Sequence, residues 1–188
     1  MENIINTIHT YDKKAYSMTI LQGGLILALL LSLPGYFCWA ADYPDQSMGG
    51  YFTFIQFSIY FIVMILMGKK AYKIYSPDGS LRFSYGKAYL HSFLTALVSG
   101  LAVGILTWLL YGVMAPDYYM STVEFSLNDY AATVPNISDE EIEQVRSMAV
   151  MMTKPYILIP MTVFSAAFTG ALVALISSLI VKKEVKTA

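Results

Sequence analysis

The chain has 188 residues, 56% of them hydrophobic and only 13% charged, with a mean hydropathy of +0.54. Soluble domains carry about 25% charged residues, so a soluble fold of this length lacks the polar surface to cover so much apolar area, whereas a bilayer solvates it. A net charge of −1, with no Lys/Arg-rich stripe interleaved with aromatics, argues against a nucleic-acid partner, and a single cysteine, Cys38, excludes an internal disulfide or a cysteine metal cluster.

A bilayer core of about 30 Å needs ~20 apolar residues at the helical rise. The first such stretch covers residues 16–41 and contains no Asp, Glu, Lys or Arg. It is longer than the apolar region of a secretory signal, about 7–15 residues, and is expected to be a retained span. Cys38 near its end reads as a small buried hydrophobe before it reads as half of an intermolecular disulfide.

A second span is predicted over residues 51–68. Behind it Ser76-Pro77-Asp78-Gly79 has the composition of a tight turn. Leu81, Phe83 and Tyr85 then alternate with Ser80, Arg82 and Ser84, the pattern of a short hairpin lying on headgroups, with its Lys and Arg facing anionic lipid. Ser84 is placed to cap the third span, residues 88–114. His91, one turn beyond Lys87, is expected at the interface.

Residues 115–155 form an acidic segment between spans three and four. Asp117 is expected to cap a helix bearing Tyr118, Tyr119, Val123, Leu127 and Tyr130, and Pro135 to break it. Ser138-Asp139-Glu140-Glu141 is a capping box, with acids suited to the positive end of the helix dipole. Ile142, Val145, Ala149 and Met152 then make an apolar stripe that runs to Pro155. Two amphipathic helices follow, either capping the bundle or lying in the interface. The acids lack the glycine-containing loop of a calcium site, and Met148, Met151 and Met152 read as a core-facing apolar stripe rather than copper ligands. Asn136-Ile137-Ser138 matches a glycosylation sequon, which matters only in a eukaryotic secretory pathway. The fourth span covers residues 156–181.

Charge orients these elements. Lys13 and Lys14, then Lys69, Lys70, Lys73, Arg82 and Lys87, then Lys182, Lys183 and Lys186 all fall on one side, against Arg146 and Lys154 on the other. The basic side is expected to be cytoplasmic, with both termini there. Trp39, Tyr43, Tyr51, Trp108, Tyr111 and Tyr156 would belt the opposite interface and Tyr85 and Tyr89 the basic one.

Helices in lipid associate through close backbone approach. Span three carries Ser92, Ala96, Gly100 and Gly104, span four Ala166, Gly170, Ala174 and Ser178, and span one Gly24, Ala28 and Ser32, each a small residue every four. The faces of spans three and four would meet near mid-membrane inside one bundle, or else serve a homodimer. A polar thread (Gln22, Gln56, Tyr60, Thr95, Ser99, Thr162, Ser165 and Thr169) fits interhelical hydrogen bonds first and a small water-filled path second. Pumps and coupled transporters usually place ionisable groups within their spans; here only His91 comes near one.

Phe83-Ser84-Tyr85-Gly86-Lys87-Ala88 leading into span three, Pro116-Asp117-Tyr118 after it, Ser138-Asp139-Glu140-Glu141-Ile142-Glu143, Lys154-Pro155, and a small-residue span ending in Lys182-Lys183 together form one pattern over nearly the whole chain. In this the chain resembles the domain-of-unknown-function family 4199, four-helix proteins of the bacterial inner membrane found mainly in Bacteroidota. The resemblance implies that location and the four-span fold, and supplies no activity or site.

The expected fold is all-α: a single membrane domain over residues 1–188, a polytopic four-helix bundle with an extracytoplasmic amphipathic helical segment and a short cytoplasmic hairpin. No Ser-His-Asp, Cys-His or zinc-ligand set is present, so no catalytic residue, cofactor or metal is assigned. The leading expectation is a non-enzymatic protein that assembles with itself or with an envelope partner, through Tyr118, Tyr119, Met148 and Met152. The alternative is a small passive channel or transporter of a polar solute along Gln56, Tyr60, Ser99 and Thr169.

Overall fold

The computed structural model describes residues 12–43, 49–77, 79, 81–133 and 138–183. Among the described residues six α-helices form: α1 (Lys13–Ala40), α2 (Gly49–Tyr75), α3 (Tyr85–Trp108), α4 (Pro116–Thr133), α5 (Asp139–Met152) and α6 (Pro155–Val181). A π-helical segment, Leu109–Met114, prolongs α3. Four of these helices are long and apolar enough to cross a membrane: α1, α2 from Thr53, α3 with its π segment, and α6. Large apolar side chains on their outer faces, among them Leu29, Phe54, Leu66, Phe164 and Phe168, are exposed, which suits a lipid solvent. The chain is a multi-pass, all-α membrane protein.

Helix ends follow local chemistry. Asp12 caps α1 by accepting from Ala15 N at 2.9 Å, and Ser84 caps α3 by accepting from Lys87 N at 3.4 Å. Both halves of the Ser138–Glu141 capping box form. α1 ends in a Schellman motif: Tyr43 N donates to Cys38 O (2.9 Å) and Asp42 N to Trp39 O (3.1 Å). The motif needs a left-handed residue, and Asp42 supplies it with φ +49°. Asp42→Gly should therefore raise stability by about 0.5–1 kcal/mol and Asp42→Val lower it by about 1–2 kcal/mol in detergent unfolding.

Three expected boundaries shift. α2 runs on beyond Gly68 through Lys69, Lys70 and Lys73 to Tyr75, because long basic side chains can snorkel while the backbone stays helical. α4 begins with Pro116 at its first position, leaving Asp117 inside the first turn rather than at the cap; proline's fixed φ suits that place. Pro155 opens α6 in the same way. The break expected at Pro135 and the sequon residues Asn136 and Ile137 lie outside the described residues.

Since α2 is helical to Tyr75, the chain after the turn has no extended partner there. Gly79 N closes the turn on Ser76 O at 3.2 Å, and Phe83 pairs instead with Lys183 beyond α6, through two 3.0 Å backbone bonds. Asp78 and Ser80 of this connection lie outside the described residues. Phe83 is fully buried against the rings of Tyr72 and Tyr75, and Ala71, Ala88 and Val181 close the cluster.

α3 and α6 form the most extensive interface. A Cβ added at Gly100 would stand 2.6 Å from Ala166 Cβ and 3.0 Å from Val163 Cα, and one at Gly170 would fall on Ala96 Cβ. Ser92, Ala96, Gly100, Gly104, Ala166, Gly170, Ala174 and Ser178 are all buried, and the pairs Gly104–Thr162, Gly100–Ala166 and Ala96–Gly170 descend the two helices in antiparallel register. These faces are used within the chain. α1 joins through Gly24, which lies against Val98 and the Ser99 amide.

The bundle is tight at one end and splayed at the other. Buried residues of α1 stop at Ala28, those described on α2 start at Tyr60, and those of α6 start at Ala166. The main core, with Leu27, Met64, Ala96 and Ala174 at 0–1% exposure, therefore fills the half nearer the basic connections. The other half, under α4 and α5, opens into clefts.

Candidate functional site

The splay exposes the polar thread. Leu31, Gln56, Tyr60, Val103, Thr162, Ser165 and Thr169 line a cavity of about 330 Å³ near the middle of the bundle. Tyr60 is buried beside the buried hydroxyl of Ser99. Thr162 and Thr95 donate to carbonyls of their own helices. Of the thread residues Gln22 does bond between helices, accepting from Lys70 at 2.8 Å; further interhelical bonds run from Tyr36 to Leu106 O (3.0 Å), from Tyr85 to Leu175 O (3.2 Å) and between Thr19 and His91 (2.9 Å).

A second cavity of about 340 Å³ sits between α1, α3 and α4 at the acidic end, and the two share Leu31, Gln56 and Val103. Its walls hold Tyr36, Tyr43, Tyr111 and Tyr118, with Cys38, Thr107 and Thr122. Two backbone features shape it. Pro34 stands within α1 and lacks the N–H that would complete the turn, while Gly35 leaves room for the Tyr111 hydroxyl, 3.2 Å from where a Cβ would be. The π segment widens the helix at Leu110 and Tyr111, closing with a 2.7 Å bond from Ala115 N to Leu110 O. Trp108 folds over Gly112 on the same segment.

The recess does not cross the molecule. Below it Leu27, Met64, Thr95, His91 and Phe83 are all fully buried. His91 is thus a core residue rather than an interfacial one. Its position on the stripe of Ala88, Ser92, Thr95, Ala96 and Ser99 carried that signal in the sequence, and the adjacent Lys87 masked it. Lys87 turns to Tyr75, its ammonium 4.1 Å from the ring centroid. Thr19 donates to Tyr16 O at 2.6 Å, so His91 Nε2 carries the hydrogen toward Thr19, and the buried Nδ1 has no partner among the described residues.

The acidic end is roofed by α4 and α5. Tyr118 donates to Tyr43 O (2.8 Å), tying α4 to the end of α1, and Tyr119 donates to Ala149 O (3.2 Å), tying α4 to α5. Burial, then the charges of Cys38 and Asp42, raise the Tyr118 phenol above its ordinary range; burial alone raises Tyr119. Both rings are therefore partly buried within the chain, whereas Met148 and Met152 are exposed. Arg146 clamps Glu124 of α4 at 2.7 and 3.0 Å and Glu143 at 2.6 Å, a bidentate pairing that lowers the Glu124 carboxyl. Glu141 is lowered by the Ser138 amide and hydroxyl, so capping occupies it. Among the described residues no three His, Cys, Asp or Glu side chains gather where a metal ion could be held.

The tyrosine-lined cavity was not foreseen. Tyr43 and Tyr111 look like interfacial anchors in the sequence, and nothing local distinguishes a ring facing lipid from one facing a cleft.

No curated protein and no solved structure matches the chain. The family model described as a protein of unknown function, domain of unknown function 4199, matches residues 22–183, and the four spans with their capped α4–α5 insert are therefore those of a member of that family.

Proposed function

We propose that this is a non-enzymatic protein of the bacterial inner membrane that works by assembling with another envelope protein through α5. The observation that carries the reading is α5 itself. None of its residues is buried, and Val145, Met148, Met151 and Met152 stand 38–53% exposed on a helix long enough to present a continuous face. Asp139, Glu140 and Glu143 precede this face, so the fitting partner is a segment with apolar residues flanked by Lys or Arg. The segregation of Lys and Arg to the other end supports cytoplasmic termini and an extracytoplasmic α4–α5 layer. Against catalysis stands the fully buried, Thr19-bonded state of His91.

The experiment is photocrosslinking in native membranes from Met148, with Phe54 on the lipid-facing side of α2 as control. A discrete protein adduct from Met148 and none from Phe54 is the expected result. Adducts to lipid alone from both positions would sink the assembly reading.

The second reading, a solute path along Gln56, Tyr60 and Thr169, draws on the two neighbouring cavities that share Leu31, Gln56 and Val103. The packed basic half makes that path a recess open at one end, which favours binding over conduction.

A further inference from the structure

We propose that the cavity walled by Tyr36, Tyr43, Tyr111 and Tyr118 is a binding site for a small amphipathic organic cation, an alkyl- or arylammonium, with its charged head among the tyrosine rings and its apolar part on Leu31, Val103 and Leu110.

The wall chemistry selects the charge. Neither Lys or Arg nor Asp or Glu lines the cavity among the described residues, so no counter-charge there favours either sign and the rings decide. Aromatic faces attract cations through the ring quadrupole. The rings are held in place for this. The hydroxyls of Tyr36 and Tyr118 are committed to the carbonyls of Leu106 and Tyr43, so each ring is fixed as wall. Tyr111 stacks on Tyr118 with centroids 6.4 Å apart and tilts against Tyr119 at 5.3 Å.

The surrounding backbone carries both signs: α1 ends three residues before Tyr43, with the negative end of its dipole at the rim, while α4 opens at Pro116, two residues before Tyr118, with the positive end of its own. Asp42 lies close enough to Tyr118 to act on it electrostatically. A π insertion is itself a costly departure from α geometry that recurs at functional sites, and here it forms the wall carrying Leu110 and Tyr111. The volume of about 340 Å³ falls at the lower end of ligand pockets, roughly 300–1,000 Å³. The floor sets Leu31 and Val103 beside the Gln56 amide, and the two apolar residues give a hydrocarbon or aryl group somewhere to go.

The test uses the full chain in lipid nanodiscs with three probes of one shape: benzyltrimethylammonium, its neutral isostere neopentylbenzene, and phenylmethanesulfonate. Binding is read by calorimetry against empty nanodiscs and by protection of Cys38, which lines the cavity, from N-ethylmaleimide. The cation should bind saturably and at least about tenfold more tightly than the other two. Tyr111→Leu should weaken it about tenfold, while Tyr111→Phe, which keeps the ring face, should stay within about threefold of wild type. Should Tyr111→Leu not fold, Tyr118→Leu on α4 gives the same comparison. Equal binding of all three probes, no saturable binding of the cation, or equal losses in the Leu and Phe variants would each overturn the assignment.

Discussion

Gly170→Ala should destabilise the bundle by about 1–3 kcal/mol, and adding Ala96→Gly should recover most of that loss. The added methyl at Gly170 falls on the Cβ of Ala96, while its next neighbours, Ala96 Cα and Met64 Cε, stand at a comfortable 3.7 Å. A single atom thus decides the fit. Moving the methyl from one helix to the other leaves the volume between them unchanged, and the propensity cost of a helical glycine, about 1 kcal/mol, only shifts from α6 to α3. Gly100 should behave differently. The atoms facing it include Val163 Cα at 3.0 Å and Thr162 O at 3.2 Å, which are backbone and cannot yield. Gly100→Leu should therefore prevent stable folding, with no single compensating exchange. Unfolding in mixed dodecylmaltoside–SDS micelles measures the series. If Gly170→Ala is silent, or the double variant is no better than the single, α3 and α6 are not held by this close approach.

Phe83→Ala should remove about 3 kcal/mol, although the residue lies in a connection rather than a span. Its side chain is fully buried, 5.9 Å from the Tyr72 ring and 5.5 Å from that of Tyr75. Its backbone exchanges two bonds with Lys183, which joins the α2–α3 connection to the end of α6. The ring therefore holds three helices at the basic end. Phe83→Leu should cost less, about 1.5 kcal/mol, since most of the volume is kept. The sharper readout is amide exchange: in Phe83→Ala the amides of Phe83 and Lys183 should exchange faster, with α4 and α5 unaffected. A variant within about 0.5 kcal/mol of wild type would mean that the connection merely rests on the headgroups.

The two cases mark where local information ends. Span number and approximate extent, the caps at Ser84 and Ser138, the acids at the head of α5 and the small-residue faces of α3 and α6 can all be read along the chain. Each depends on a run of neighbours: enough apolar residues for about 30 Å of hydrocarbon, a side-chain oxygen three positions from an unpaired amide, or a small residue every four. The tertiary structure decided which ring faces what. Tyr111 and Tyr43 wall a cavity, Tyr118 and Tyr119 fasten α4, Phe83 plugs the core, and His91 is buried beside a lysine that turns away. Hydropathy carries no such information, because lipid is as apolar as a helix bundle's interior. A tyrosine near the end of a span satisfies the pattern equally well against headgroups, a neighbouring helix or a cleft. Only the paths of α1, α2 and α6 choose among these: they converge where glycines let backbones meet and splay where Pro34 and the π turn hold them apart.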